Sequence, residues 1–380
     1  MTFRVVDDEL MRPVNNNLTL VRLVLASAVI WTHSVWRLSG RESWDELTPL
    51  LGAPISSYAV DGFFFLSGYL VYASLLRQGS VGAFLSARLA RLWPGLAAAV
   101  IAIAAFGAAV TNASGLAYLQ GDTMRFLLGN LSLTHGAYTL TGVACEAGPC
   151  NVDGSLWTIT WEARCYLLLA LSLWSGLCSP VWMKRLILPA VAIFAILIHL
   201  PQVAPVLMSH GGRGLMYNIG LVDRLMTMFA LGVAAYVWRD RIVLSWRVFV
   251  VLLLILLAVN RLVGPLPHLG GVVMAYFVLC FGFASSRNGP ISSRWPDYSY
   301  GIYIYAFPVM MVLSAIWRFN TYALLALATL LVTLPIAAVS WHTIEKPALE
   351  LVRAQRLRRL SKAVCQSPVV AAPDEESTSG

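Results

Sequence analysis

Four ionisable residues sit inside long apolar runs: Arg22, His33, Asp61 and Glu162. An ionised side chain at the centre of a bilayer costs roughly 2.5–3.5 kcal/mol on insertion scales, so each of the four needs a partner or a function. Arg22 and His33 are eleven residues apart. At 100° per residue that is three helical turns plus about 20°, which puts both on one face, about 16 Å apart along the axis. Counted from the inner ends of their runs, His33 and Asp61 lie about 22 and 24 Å up a hydrocarbon core about 30 Å thick, and Glu162 lies about 10 Å down from the other side. A histidine and two carboxylates at one depth suit general base chemistry, because a carboxylate that holds an imidazole fixes its tautomer and raises its basicity. Each residue also has a purely structural reading. His33 can be interfacial, Glu162 can favour a helix N-terminus, and Asp61, beside Gly62, can brace helix packing.

A second constellation is basic. In Ser86-Ala87-Arg88-Leu89-Ala90-Arg91-Leu92-Trp93-Pro94, Arg88 and Arg91 stand at i and i+3 on one helical face. Two guanidiniums in that arrangement make a fork for phosphate oxygens. They also serve as a positive anchor at a membrane surface beside an interfacial tryptophan.

The elements that must position these groups follow from composition. Of the 380 residues, 58% are hydrophobic and 12% are charged. A soluble domain carries roughly 25% charged residues, and half of that cannot cover a water-soluble globule of this length. A soluble enzyme, a nucleic-acid reader and a disordered scaffold are thereby excluded; the net charge of +8 comes from cations scattered between apolar runs. Segments long enough to span a bilayer occur at about 18–36, 57–76, 92–110, 155–176, 185–201, 219–237, 246–263, 267–285, 299–317 and 321–343. The stretch 124–134 is amphipathic and short, and reads as interfacial or re-entrant. The fold class expected is all-α: a polytopic membrane helix bundle of about ten transmembrane helices. With the N-terminus inside, about 18 of the 27 Lys and Arg fall on the cytoplasmic side, about 6 outside and about 3 within spans, so both termini are expected to be cytoplasmic. The first span has no small-residue cleavage site after a short apolar core and is expected to remain uncleaved. Residues 1–14 form a cytoplasmic N-terminus, 15–345 the membrane domain, and 346–380 a largely disordered cytoplasmic tail, small, polar and acidic after Leu360.

No metal is expected. The six cysteines show no metal-ligand spacing, and His135, His199, His210, His268 and His342 lie near span ends or in loops without partners at ligand spacing. Cys145 and Cys150 share one outer loop and could pair in an oxidising compartment. Arg224, at the outer start of its span, could meet an anionic or sugar acceptor but reads first as a snorkelling anchor. Glu345-Lys346-Pro347 reads as a lock at the inner end of the last span.

In order along the chain, these pieces resemble the acyltransferase-3 family of integral membrane acyltransferases, which O-acylate bacterial surface and exported glycans. The resemblance covers about residues 14–350. It is carried by Asn17-Leu18 through Arg22 to His33, by Asp61-Gly62-Phe63-Phe64-Phe65-Leu66-Ser67-Gly68-Tyr69-Leu70, and by Phe84 with Arg88, Arg91 and Pro94. It continues in Gly154-Ser155-Leu156-Trp157-Thr158-Ile159-Thr160-Trp161-Glu162 followed by Tyr166, in Ser299-Tyr300-Gly301-Ile302-Tyr303-Ile304-Tyr305 with Phe307-Pro308, and in Ile344-Glu345-Lys346-Pro347. The sequence departs from the family pattern in two ways. Ala306 stands where many members carry histidine, and no extracytoplasmic hydrolase-like domain follows the last span, so transfer is expected to finish within the membrane domain.

The resemblance implies a donor, acetyl-CoA or another acyl-CoA, used on the cytoplasmic side of a bacterial inner membrane. It implies as acceptor a sugar hydroxyl of an exported or lipid-linked saccharide, exopolysaccharide first among the choices. On that reading Arg22, Arg88 and Arg91 hold the phosphates of the cofactor. His33 acts as general base or transiently acylated nucleophile, Glu162 orients His33 or takes the hydroxyl proton itself, and Asp61 completes the catalytic set. Ten spans with internal charges would equally suit a glycolipid or small-solute transporter or flippase, although no inverted repeat or pair of broken spans is visible. The bilayer is the one certain partner; oligomeric state is not legible in the sequence.

Overall fold

The structure, a computed structural model, describes residue 6 and residues 10–12, 15–145, 148–149, 151–283 and 295–366. It is built from helices. In chain order they are α1 (Leu18–Ser39), α2 (Ile55–Gln78), α3 (Val81–Val110), the short α4 (Asp122–Leu131), α5 (Trp157–Trp174), α6 (Pro180–Leu197), α7 (Val203–Val237), α8 (Trp246–Leu262), α9 (Leu269–Phe283), α10 (Ser299–Ile316), α11 (Tyr322–Ser340) and α12 (Lys346–Gln366). A hairpin of two-residue strands, Ala144–Cys145 and Gly148–Pro149, interrupts the loop before α5. Among the described residues, seven helices are long and apolar enough to cross a membrane. Of the remaining expected spans, α5 is 18 residues long and carries Glu162 and Arg164, α8 has 17 residues and α9 has 15. The protein is a multi-pass membrane protein.

The packing explains why an apolar chain needs a membrane. Leu254, Leu331 and Val339 on α8 and α11 point outward and are more than half exposed, which only lipid accommodates. Helix α2 is enclosed at the centre and meets α7 backbone to backbone. A Cβ on Gly68 would fall 2.0 Å from the Phe229 carbonyl oxygen, and one on Gly232 would fall 2.0 Å from that of Phe65. Small residues permit this approach, which is how spans associate where lipid offers no hydrophobic drive.

Several ends are fixed locally. Gly40 ends α1 in the left-handed region, its N–H donating to the Trp36 carbonyl. Ser80 caps α3 by accepting from the Ala83 N–H. A π-helical turn at Trp341–Glu345 joins α11 to α12 just before Pro347, the kind of irregularity that re-aims a side chain. Residues 346–366, expected in the tail, are helical as α12; residues 367–380, and the pairing of Cys145 with Cys150, lie outside the described residues.

Candidate active site

Helices α1, α2, α3, α5 and α10 enclose a cavity of about 130 Å³. Its polar lining is Arg22, Ser67, Arg88, Arg91, Thr158, Glu162, Ser299, Tyr166, Tyr300 and Tyr303. Four of the six residues expected at the site, Arg22, Arg88, Arg91 and Glu162, therefore share one chamber.

The arginines are held by a carboxylate that sequence reasoning missed. Asp297, two residues before α10, accepts from Arg22 Nη1 at 2.8 Å and from Arg91 Nη2 at 2.7 Å through the same oxygen, Oδ2. Burial alone would raise the Asp297 carboxyl, but Arg22 and Arg91 outweigh it and hold it down at about 2. Arg91 also lies 3.7 Å from Glu345 Oε2. The π turn brings that carboxylate inward, where it is 1% exposed and accepts from Ser340 Oγ. The Arg91 guanidinium sits 5.7 Å from the Tyr300 ring centroid and 5.5 Å from that of Trp341. Asp297 was legible in one respect: Arg22, inside the first span, needs a counter-ion, and an aspartate at the foot of the ninth span is within reach.

Arg88 differs. Among the described residues no carboxylate lies within ion-pair distance of it; its Nη2 donates to Ser74 Oγ at 3.3 Å, and its guanidinium lies over the Tyr166 ring at 6.0 Å. Of the three cations it is the one left free to meet an anionic ligand. On the other wall, Glu162 Oε1 accepts from Ser67 Oγ at 3.0 Å and from the Tyr166 hydroxyl. Both hydroxyls fall on one oxygen, which leaves Oε2 without a protein partner among the described residues. Arg164 points away and donates to the Thr134 carbonyl, as a two-residue step around a helix requires.

The structure does not bring His33, Asp61 and Glu162 together. Glu162 pairs with Ser67, six residues inward of Asp61 along α2 and so about 9 Å deeper. The chain is already buried at Asp153 and Ser155 before α5 begins, so counting from the start of a span misplaces Glu162. Asp61 is bound instead to Arg224, whose Nε donates to Oδ1 at 2.8 Å while Nη2 donates to the Ser57 carbonyl. Arg224 is thus no snorkelling anchor: the glycine contact between α2 and α7 holds it against a buried carboxylate. Asp61 braces this crossing and does not line the cavity.

His33 is half-buried and lines a separate space of about 10 Å³ with Ser155, Ala306, Phe307 and Thr329. Its ring meets Phe307 edge-on at 5.0 Å. Tyr303 lines both spaces and stands between them, its hydroxyl 2.7 Å from Thr158 Oγ1. Below it, Ser155 donates to the Tyr303 carbonyl and to Asp153 Oδ1. Burial pushes the Asp153 carboxyl up to about 7 against the hydrogen bonds from Ser155.

A family model described as an acyltransferase domain matches residues 15–342. The chain is 29% identical over 385 residues to nodulation protein 10 of Rhizobium leguminosarum bv. viciae, covering 92% of this chain and 97% of that protein. It is 26% identical over 344 residues to an O-acetyl transferase of Shigella phage Sf6, covering 87% of this chain and 95% of that protein. No solved structure matches.

Proposed function

Because the chain belongs to the acyltransferase-3 family and is an O-acyltransferase, we propose that it moves an acyl group, acetyl first, from cytoplasmic acyl-CoA to a saccharide hydroxyl beyond the membrane. The carrying observation is the single chamber that holds three guanidiniums opposite the free oxygen of Glu162. A transporter has no evident need for a carboxylate whose one oxygen is already satisfied and whose other faces a cluster of cations.

In this reading Arg88 takes cofactor phosphate, with Arg22 and Arg91 preset by Asp297 beside it. The nucleotide stays towards the cytoplasm with its phosphates at the chamber mouth beside Arg88, and the acyl-bearing end reaches into the chamber. Transfer breaks the thioester C–S bond and forms an ester C–O bond. The hydroxyl proton passes to a base and then to the leaving thiolate, so that free CoA departs. Glu162 serves the donor end and His33 the acceptor end, with Tyr303 as the partition that must shift for the acyl group to pass. That the phage relative is an O-acetyl transferase supports acetyl as the group transferred.

The remaining placement belongs to the same proposal: ten spans in a bacterial inner membrane, with both termini cytoplasmic. Reporter fusions at each end, active only in the cytoplasm, are expected to be active at both; an inactive one overturns the orientation. The reaction is tested in membranes with acetyl-labelled acetyl-CoA and native glycan. Wild type is expected to move label to saccharide, and Glu162→Gln and His33→Ala to lose at least about a hundredfold in rate while remaining inserted. Wild-type rates in both variants would overturn the assignment of the bases, and absence of labelled saccharide with wild type across a range of glycans would overturn the reaction.

A further inference from the structure

Away from the acyl-transfer chamber, three residues distant in sequence meet at the Asp61 end of the bundle. His199 follows α6, Asp223 belongs to α7 and His268 immediately precedes α9. Their ligand atoms all lie within 4.8 Å of one another. His199 Nε2 is 3.0 Å and His268 Nε2 is 3.1 Å from the same oxygen, Asp223 Oδ2. The two imidazoles pack edge to face, with centroids 5.6 Å apart.

We infer that His199, Asp223 and His268 bind a divalent transition-metal ion of the zinc class, which fastens α6 to the bundle. Hydrogen bonding alone leaves this cluster unsatisfied. Asp223 is 5% exposed, and its Oδ1 is buried with no hydrogen-bond partner among the described residues. The buried His268 Nε2 approaches Oδ2 without hydrogen-bond alignment, so it too has no partner of that kind. His199 Nε2 and Asp223 Oδ2 form a hydrogen bond, but Asp223 Oδ1 and His268 Nε2 have none among the described residues, and such converging ligand atoms suit a common ion, since zinc binds imidazole nitrogen at about 2.0–2.1 Å and carboxylate oxygen at about 2.0–2.2 Å. Two imidazoles and a carboxylate match zinc in softness and leave a fourth position for water beside the half-exposed His199. The guanidinium of Arg224, next in sequence to Asp223, is paired with Asp61 at 2.8 Å.

The fold supplies the need. Helix α6 buries little of itself: across Leu188–Leu197 only Ala195 is buried. Lipid gives such a helix no hydrophobic reason to stay against its neighbours. An ion shared by the segments adjoining α6, α7 and α9 supplies the missing tie.

The test uses the full chain with a non-histidine affinity tag, purified into nanodiscs, stripped with chelator and titrated with zinc. Bound metal is read by elemental analysis and stability by thermal unfolding. Wild type is expected to bind about one zinc per chain and to melt at least about 3 °C higher with zinc. His268→Ala and His199→Gln are expected to lose both effects, and His199→Cys, which keeps a ligand, to retain them. Because His199 is half-exposed, His199→Gln keeps the test meaningful if His268→Ala fails to fold. Zinc bound by wild type no better than by His199→Gln overturns the site. Zinc bound with no change in melting overturns the fastening role.

Discussion

Among the charged residues of the chamber, it is their partners that separate their roles. Arg22 and Arg91 share Asp297 Oδ2 and are fixed in place, whereas among the described residues Arg88 has only a serine hydroxyl and a tyrosine face. A ligand phosphate that meets Arg88 gains a charge-assisted bond without displacing a carboxylate. Such a bond contributes about 1.5–3 kcal/mol. Arg88→Ala is therefore expected to raise the KM for acyl-CoA about tenfold to a hundredfold with a smaller change in kcat, measured by initial rates of labelled transfer in membranes. An unchanged KM would remove Arg88 from the donor site. Sequence spacing placed Arg88 and Arg91 on one face, and they do line one cavity. What spacing cannot show is which of two equivalent-looking cations is already neutralised, because Asp297 and Glu345 come from far along the chain.

At the scale of elements, the site depends on how closely α2 and α7 approach. Gly68 and Gly232 each face the backbone carbonyl of the opposite helix, with no room for a methyl group. That crossing sets the rotation of α2, which turns Ser67 towards Glu162 and Asp61 towards Arg224. Gly68→Leu is expected to abolish the monodisperse folded species in size-exclusion chromatography of detergent extracts, with Gly82→Leu, at a position with open space around it, as the unaffected control. A normal Gly68→Leu profile would show that the helices can part without cost. The ends of α5 teach a related lesson. Its apolar run was legible, but the buried Asp153 and Ser155 ahead of it carry the chain inward before the helix begins, so the depth of Glu162 was not.

For the whole molecule, two carboxylates outside the spans give opposite pH dependences. Asp297 is held at about 2, below its ordinary 3.8. Its contribution to stability is complete above pH 3.8 and is lost as pH falls towards 2. Asp153 is raised from 3.8 to about 7, so its contribution is complete below pH 3.8 and is lost as pH rises to 7. At 1.36 kcal/mol per pK unit this second loss is on the order of 4 kcal/mol. Stability to thermal unfolding in detergent is expected to fall below about pH 4 as Asp297 protonates and to fall again as pH rises from about 4 to 7, and Asp153→Asn is expected to flatten only the second decline. A wild-type profile flat between pH 4 and 8 would contradict the raised Asp153 carboxyl.

The sequence by itself determined that the protein is a helical membrane protein, because a chain with 12% charged residues and long apolar runs has no other stable solvent. It also determined the family resemblance and most of the chamber's polar residues, since those groups stand out against lipid-compatible surroundings. Only the tertiary structure decided which of them meet. Separation along a helix axis fixes depth and face, but the partner of a buried charge depends on helix crossings, loops that enter the bundle and turns such as Trp341–Glu345. Hence Asp61 found Arg224 and not His33, Asp297 found Arg22 and Arg91, and His199 and His268, 69 residues apart, converged on Asp223.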